Sequence, residues 1–178
     1  MRILVRKFNQ KNLSRNLNNF VLKVLIVVSL LATPTYGIAQ NGPVIISRMN
    51  FETGMPQNRT MIGKFKSFST KINPSIYVEN NQIKSSQPNP VSVYSDRASL
   101  SGIHNLIVNK STIEYVSIKI NQLSDINNFI SLSRFSNFTN LKFIHIIFEF
   151  EISNSEMTNL IMNAPSNSYV IYESRKIM

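Results

Sequence analysis

Two histidines and a few carboxylates are the residues with which this sequence could do chemistry. His104 and His145 are the only imidazoles. Neither has a partner at the H-x-x-x-H or H-E-x-x-H spacing that puts two ligands on one helical face, so no metal site is expected. The chain has no cysteine, which removes thiolate ligands, disulfides, a cysteine nucleophile and a lipid-modified cysteine. Glu149 and Glu151 stand two apart. On a continuing strand they would share a face, and His145 with either of them would give an acid–base pair of the kind a small hydrolase uses. The same two charges at a strand end would discourage edge pairing, and this is the reading adopted. Asp96 reads as a helix cap. No serine lies in G-x-S-x-G, and no glycine-rich loop is present to cradle a phosphate. No catalytic residue and no cofactor are therefore expected.

The elements that would position these residues centre on 113–150, which reads as strand, helix, strand. Ile113, Val116 and Ile118 return 28 positions later as Leu141, Ile144 and Ile146. Between them Ser124 reads as an N-cap, and Ile126, Phe129 and Ile130 follow the i, i+3, i+4 spacing of an apolar helix face. The interval Asn121–Asn140 is long enough for the crossover that parallel strands require. Further strands are expected at Val91–Tyr94 and Ser168–Tyr172. Helix faces are expected through Leu100, Ile103 and Ile107 and, after a cap at Ser153 or Ser155, through Met157, Leu160 and Ile161. Val91 and Val93 precede Val116 and Ile118 by 25, and Val170 and Tyr172 follow Ile144 and Ile146 by 26.

Ile113, Val116, Ile118, Asn121 and Leu123 fill the pattern L-x-x-L-x-L-x-x-N-x-L, and Phe138-x-x-Leu141-x-x-Ile144-x-Ile146 continues it, so the stretch resembles a leucine-rich repeat. In the next unit Glu149 and Glu151 stand where that pattern has its Asn and an apolar residue. The resemblance implies an α/β fold: a parallel sheet of about four strands with helices on one side, in a short repeat-like stack. The alternative is a compact α/β domain with both sheet faces covered, which Phe143 and Ile147 favour, because sheets buried on both faces carry apolar residues on both. The 28-residue register puts Tyr115 beside Phe143, Ser117 beside His145 and Lys119 beside Ile147. If that face is open, Tyr115, Lys119, Phe143 and His145 are its candidate contacts.

The net charge of +10 is concentrated at the N-terminus. Arg2, Arg6, Lys7, Lys11, Arg15 and Lys23 precede the apolar run Val24–Ala32, and a small-x-small site follows at Gly37-Ile38-Ala39. This is the plan of a secretory signal over residues 1–39. From Gln40 onward 13 basic residues face 9 acidic ones, a balance of +4, with no basic block interleaved with aromatics, so no specific nucleic-acid partner is expected. Residues 40–90 read as an irregular first segment with short strands at Val44–Ile46 and Ser75–Val78 and a possible hairpin at Ile76–Lys84, and residues 91–178 as the repeat-like α/β domain. The sequence thus points to an exported binding module, in the periplasm, on the cell surface or secreted. Its partner would be a protein or another extracellular ligand, and it would touch a membrane only through the uncleaved signal. A small exported hydrolase using His145 is the alternative.

Overall fold

The computed structural model describes residues 44–54 and 59–175. The chain divides into two units, Met1–Gln40 and Asn41–Met178, and every described residue belongs to the second. The signal expected over 1–39 lies outside the described residues.

Branched and aromatic residues dominate the central strands, and the crossovers between them are built largely from short turns of helix. The elements are β1 (Val44–Ser47), α1 (Arg48–Gly54), α2 (Arg59–Thr70), β2 (Ser75–Glu79), β3 (Gln82–Ser86), β4 (Ser92–Asp96), α3 (Ile103–Leu106) and β5 (Tyr115–Ile120). After them come β6 (Ile130–Ser131), β7 (Phe143–Phe148), α4 (Asn154–Leu160), β8 (Ile161–Met162) and β9 (Tyr169–Ser174). Seven strands form one sheet in the order β1-β9-β7-β5-β4-β2-β3; β6 and β8 form a separate two-stranded ladder. Every pair in the large sheet is parallel except the β2–β3 hairpin at its edge.

The fold is mixed α/β, with more strands than the four expected and helices on both sides rather than one. The difference comes from residues 40–90. Expected to be irregular apart from a short strand at Val44–Ile46 and a hairpin, they supply β1 at one edge of the sheet, β2 and β3 at the other, and α1 and α2 between them. The hairpin lies where expected. Asn80 and Asn81 take φ of 52° and 59°, the consecutive left-handed pair that matches strand twist in a two-residue turn and that asparagine tolerates. Their amides are held by Asp96 Oδ2 and Ser99 Oγ, at 3.0 and 2.9 Å. Gly102 lies close by: a Cβ there would stand 3.0 Å from Asn81 Oδ1.

The two faces of the sheet are covered differently. The even-numbered residues of β5 and β7, from Val116 to Phe148, pack against the crossovers through Leu100, Ile103, Ile107, Ile130, Phe135, Phe138, Met157 and Leu160. These crossovers are shorter helices than the sequence suggests. The expected helix over Ile126–Ile130 is a 3₁₀ turn, Leu123–Ile126, closed by a capping box between Gln122 and Asp125. Phe129 is exposed, and Ile130 is buried in β6. Ser153 caps α4 as expected, reciprocally with Glu156. On the opposite face Phe51 of α1 and Phe65 of α2 pack on Tyr115, Phe143 and Ile171, with Phe68 and Tyr94 at the margin.

The registers sort this second face into three rows across the strands. The first runs Ser75, Ser92, Tyr115, Phe143, Tyr169 and Val44; the second Tyr77, Tyr94, Ser117, His145, Ile171 and Ile46; the third Asp96, Lys119, Ile147 and Glu173. Glu79, the residue after Val78 on β2, extends the third row. The helices cover the first row and part of the second. Toward the carboxyl ends of the strands the face is open and polar.

Candidate functional site

The open part of this face forms a cleft of about 750 Å³, bounded by Tyr77, Tyr94, Lys84, Lys119, Asn121 and Arg175 among others. Its place follows from the chain path. Among the described residues the face is closed only where α1 and α2 cross it, and the carboxyl ends of parallel strands are where open α/β sheets hold their ligands. Tyr77 and Tyr94 occupy the same row on neighbouring strands and stack at 5.0 Å with an interplanar angle of 12°. Tyr77 remains 46% exposed. The Tyr94 hydroxyl donates to Phe68 O at 3.4 Å, tying the end of α2 to the cleft wall, and burial followed by the Tyr77 phenol pushes its pKa up.

Beneath the cleft lies a buried polar chain. His145 Nδ1 is 2.8 Å from the Tyr115 hydroxyl, and Nε2 is 3.5 Å from Glu173 Oε2. The second contact is not a hydrogen bond, since Nε2 has no hydrogen-bond partner among the described residues, and it is an ion pair only where the imidazole carries a proton on both nitrogens. Glu173 also pairs with Arg48, and with Arg175 at 2.6 Å. Burial alone would push the Glu173 carboxyl up, but His145 and the two guanidiniums hold it well below the usual carboxylate range. Burial pushes the Tyr115 phenol up, so it stays neutral. The Phe65 ring packs edge-on against the imidazole at 5.2 Å, leaving His145 2% exposed.

Of the four residues expected on an open strand face, only Lys119 is exposed. Tyr115 and Phe143 are cross-strand neighbours in the expected register, but α1 and α2 bury them at 1% and 0%. His145 lies in the floor with its ring held between protein groups. The carboxylate beside it is Glu173, not Glu149 or Glu151. β7 ends at Phe148, so the two glutamates do not continue one strand face. Glu149 pairs instead with Lys119 at 3.2 Å and Arg175 at 3.4 Å, and Glu151 is exposed. Asp96 acts as a cap, accepting from Ser99 N at 3.0 Å through its second oxygen. His104 sits on α3, on the crossover side. Among the described residues no three histidine or acidic side chains gather as metal ligands, and no helix is long and apolar enough to cross a membrane.

The sequence reading missed Tyr77, Tyr94, Arg48, Arg175 and Glu173. A signal for Glu173 was present, since the step of 26 that relates Ile144 to Val170 also carries Ile147 to Glu173. No protein-family model matches the chain, and neither curated proteins nor solved structures provide a match.

The Glu173 cluster makes a test of acid stability. A carboxyl whose folded pKa is depressed contributes stability that is fully present above its ordinary value of 4.5 and is lost as pH falls below it. Glu173→Gln is expected to cost about 2–3 kcal/mol at neutral pH, since Arg48 and Arg175 are partly hydrated and regain water when unpaired. In urea titrations the gap between wild type and variant should narrow as the pH falls below 4.5. A gap that does not change with pH would place the effect in packing rather than charge.

Proposed function

We propose that the chain is an exported, non-catalytic binding module that recognises a protein or another extracellular ligand in the cleft at the open end of its sheet. The observation that carries this reading is the stacked Tyr77–Tyr94 pair, which stands in a cleft of about 750 Å³. That volume is within the range of ligand sites, and aromatic side chains backed by rigid strands are the usual anchors of binding surfaces. Lys84, Lys119 and Glu79 supply charge of both signs at the rim, which suits a polar partner. Lys119 is the one contact carried over from the sequence reading.

A short leucine-rich-repeat-like stack is part of the same proposal. β2, β4, β5, β7 and β9 lie side by side in chain order. The steps from Tyr115 to Phe143 and from Phe143 to Tyr169 are 28 and 26 residues, within the period of such repeats. In this reading α1 and α2 cover half of what would otherwise be the strand face of the stack, and binding is confined to the other half.

The hydrolase alternative is weakened because the hydroxyl hydrogen-bonded to His145 belongs to Tyr115, which is buried and held neutral. Arrays of extracellular oligosaccharides and peptides test the binding reading. Tyr77→Ala and Lys119→Ala should each weaken captured ligands by about tenfold. The unfolding free energy from urea titration should change by no more than about 0.5 kcal/mol for the exposed Lys119. Binding indifferent to both substitutions would remove the cleft from consideration. Turnover of a chromogenic ester panel that disappears in His145→Gln would favour the enzyme.

A further inference from the structure

On the crossover face, away from the cleft, Arg97 and Arg134 converge on a cavity of about 250 Å³ that also meets Ser101, Ser131, Ser133 and Phe129. All nine acidic residues of the chain lie in the described segments. None forms an ion pair with either arginine, whereas Arg48, Lys119, Lys142 and Arg175 each have an acidic partner. The two guanidiniums therefore present uncompensated charge to one small volume.

Arg97 is set in place for this. It follows Asp96 at the end of β4, and its Nη2 donates to Phe129 O at 3.2 Å, holding the guanidinium against the β5–β7 crossover. Its Nε is shielded from solvent and has no acceptor among the described residues. An atom shielded from solvent does not face an open cavity, so the guanidinium would meet a ligand there through its Nη groups. Ser131 and Ser133 also line the cavity. Ser131 sits in the β6–β8 ladder, its Oγ 3.1 Å from Ser133 Oγ, and it accepts from Asn163 Nδ2 at 3.4 Å. Arginine forks and serine hydroxyls around one centre make a donor set that suits an acceptor with oxygens pointing in several directions.

We propose that this cavity is a binding site for a tetrahedral oxyanion, the phosphate or sulfate group of a small ligand. Arg97 and Arg134 neutralise the group, and the serine hydroxyls complete its hydrogen bonds. The ring of Phe129, 64% exposed, lies at the cavity rim where the part of the ligand that carries the anion would rest. This also gives the exposed Phe129 ring a role.

The test titrates the full chain with inorganic phosphate, sulfate, acetate and chloride at constant ionic strength, following the Arg97 Nε–H and the Ser131 and Ser133 amides by NMR. Saturable shifts with phosphate or sulfate, and not with acetate or chloride, are expected. Arg134→Ala should weaken them by about tenfold. Arg134 is exposed, so this variant tests the site even if Arg97→Lys disturbs the crossover. Phosphate outcompeting sulfate would identify phosphorylated ligands, and the reverse order sulfated ones; either supports the site. Shifts shared equally by all four anions, no saturation, or an unchanged affinity in Arg134→Ala would overturn it.

Discussion

Phe138→Ala is expected to destabilise the fold by about 3–5 kcal/mol, as loss of a buried phenyl ring does where the surroundings cannot collapse into the space. The ring is 1% exposed and meets Phe135 edge-on at 5.4 Å. The backbone leaves it little room to move: Phe138 N donates to Phe135 O, and Leu141 N to Phe138 O, at 3.0 and 3.1 Å. It thus fills the point where the crossover returns to β7. Urea denaturation with an unchanged slope would report the loss as stability, and a shift below about 1 kcal/mol would refute the placement. Phe129→Ala is the matching control. The sequence periodicity puts both rings on apolar positions, but only Phe138 is buried, so Phe129→Ala should stay within about 0.5 kcal/mol for folding.

That contrast shows what the sequence could and could not convey. The β5–β7 and β7–β9 registers were legible because two rows of branched apolar residues repeat at fixed steps of 28 and 26. The β4–β5 register was not. Val93 pairs with Val116, a step of 23, where the apolar match suggested Ile118 and 25. A strand alternates with period two, so a slip of two residues keeps the same face inward and leaves no trace in the pattern. The crossover helices shrank to 3₁₀ turns for a related reason: Ile126, Phe129 and Ile130 have helical spacing, yet short turns and the β6–β8 ladder bury Ile130 and leave Phe129 out.

The covering of the second face was harder to read. Met61, Phe65 and Phe68 do fall at i, i+4 and i+7, a helical stripe within α2. What they cover lies 50 to 106 residues beyond Phe65, and nothing local to α2 names that target. Phe143 and Ile147 gave the only hint, being apolar on a face otherwise expected to be wet. With the face half covered, Tyr115, Phe143 and His145 become core or floor, and the surface left for recognition passes to Tyr77, Tyr94 and Lys119. The open-face expectation therefore had the right register and the wrong solvent boundary.

Phe65→Ala probes that boundary directly and is expected to cost about 3–5 kcal/mol. Phe65 is the one fully buried side chain of α2, at 0% exposure. Its ring meets Phe51 at 5.4 Å, Phe143 at 5.7 Å and His145 at 5.2 Å, and the Arg48 guanidinium lies 5.9 Å from its centre. Ring pairs of this kind add about 0.5–1.5 kcal/mol each beyond burial. Loss of the ring should loosen α2 as a unit, so its amides should exchange faster than those of β5 and β7, which the opposite core still holds. Phe65→Leu should recover much of the loss, since packing rather than aromatic chemistry is the main term. A Phe65→Ala protein with unchanged stability and unchanged α2 exchange would mean that the helix does not hold this face closed. The whole strand face, Tyr115, Phe143 and His145 included, would then return as the candidate contact surface. The expected result, a destabilised and exchanging α2 above an intact sheet, instead confines recognition to the cleft, because the residues under the helix are committed to the core.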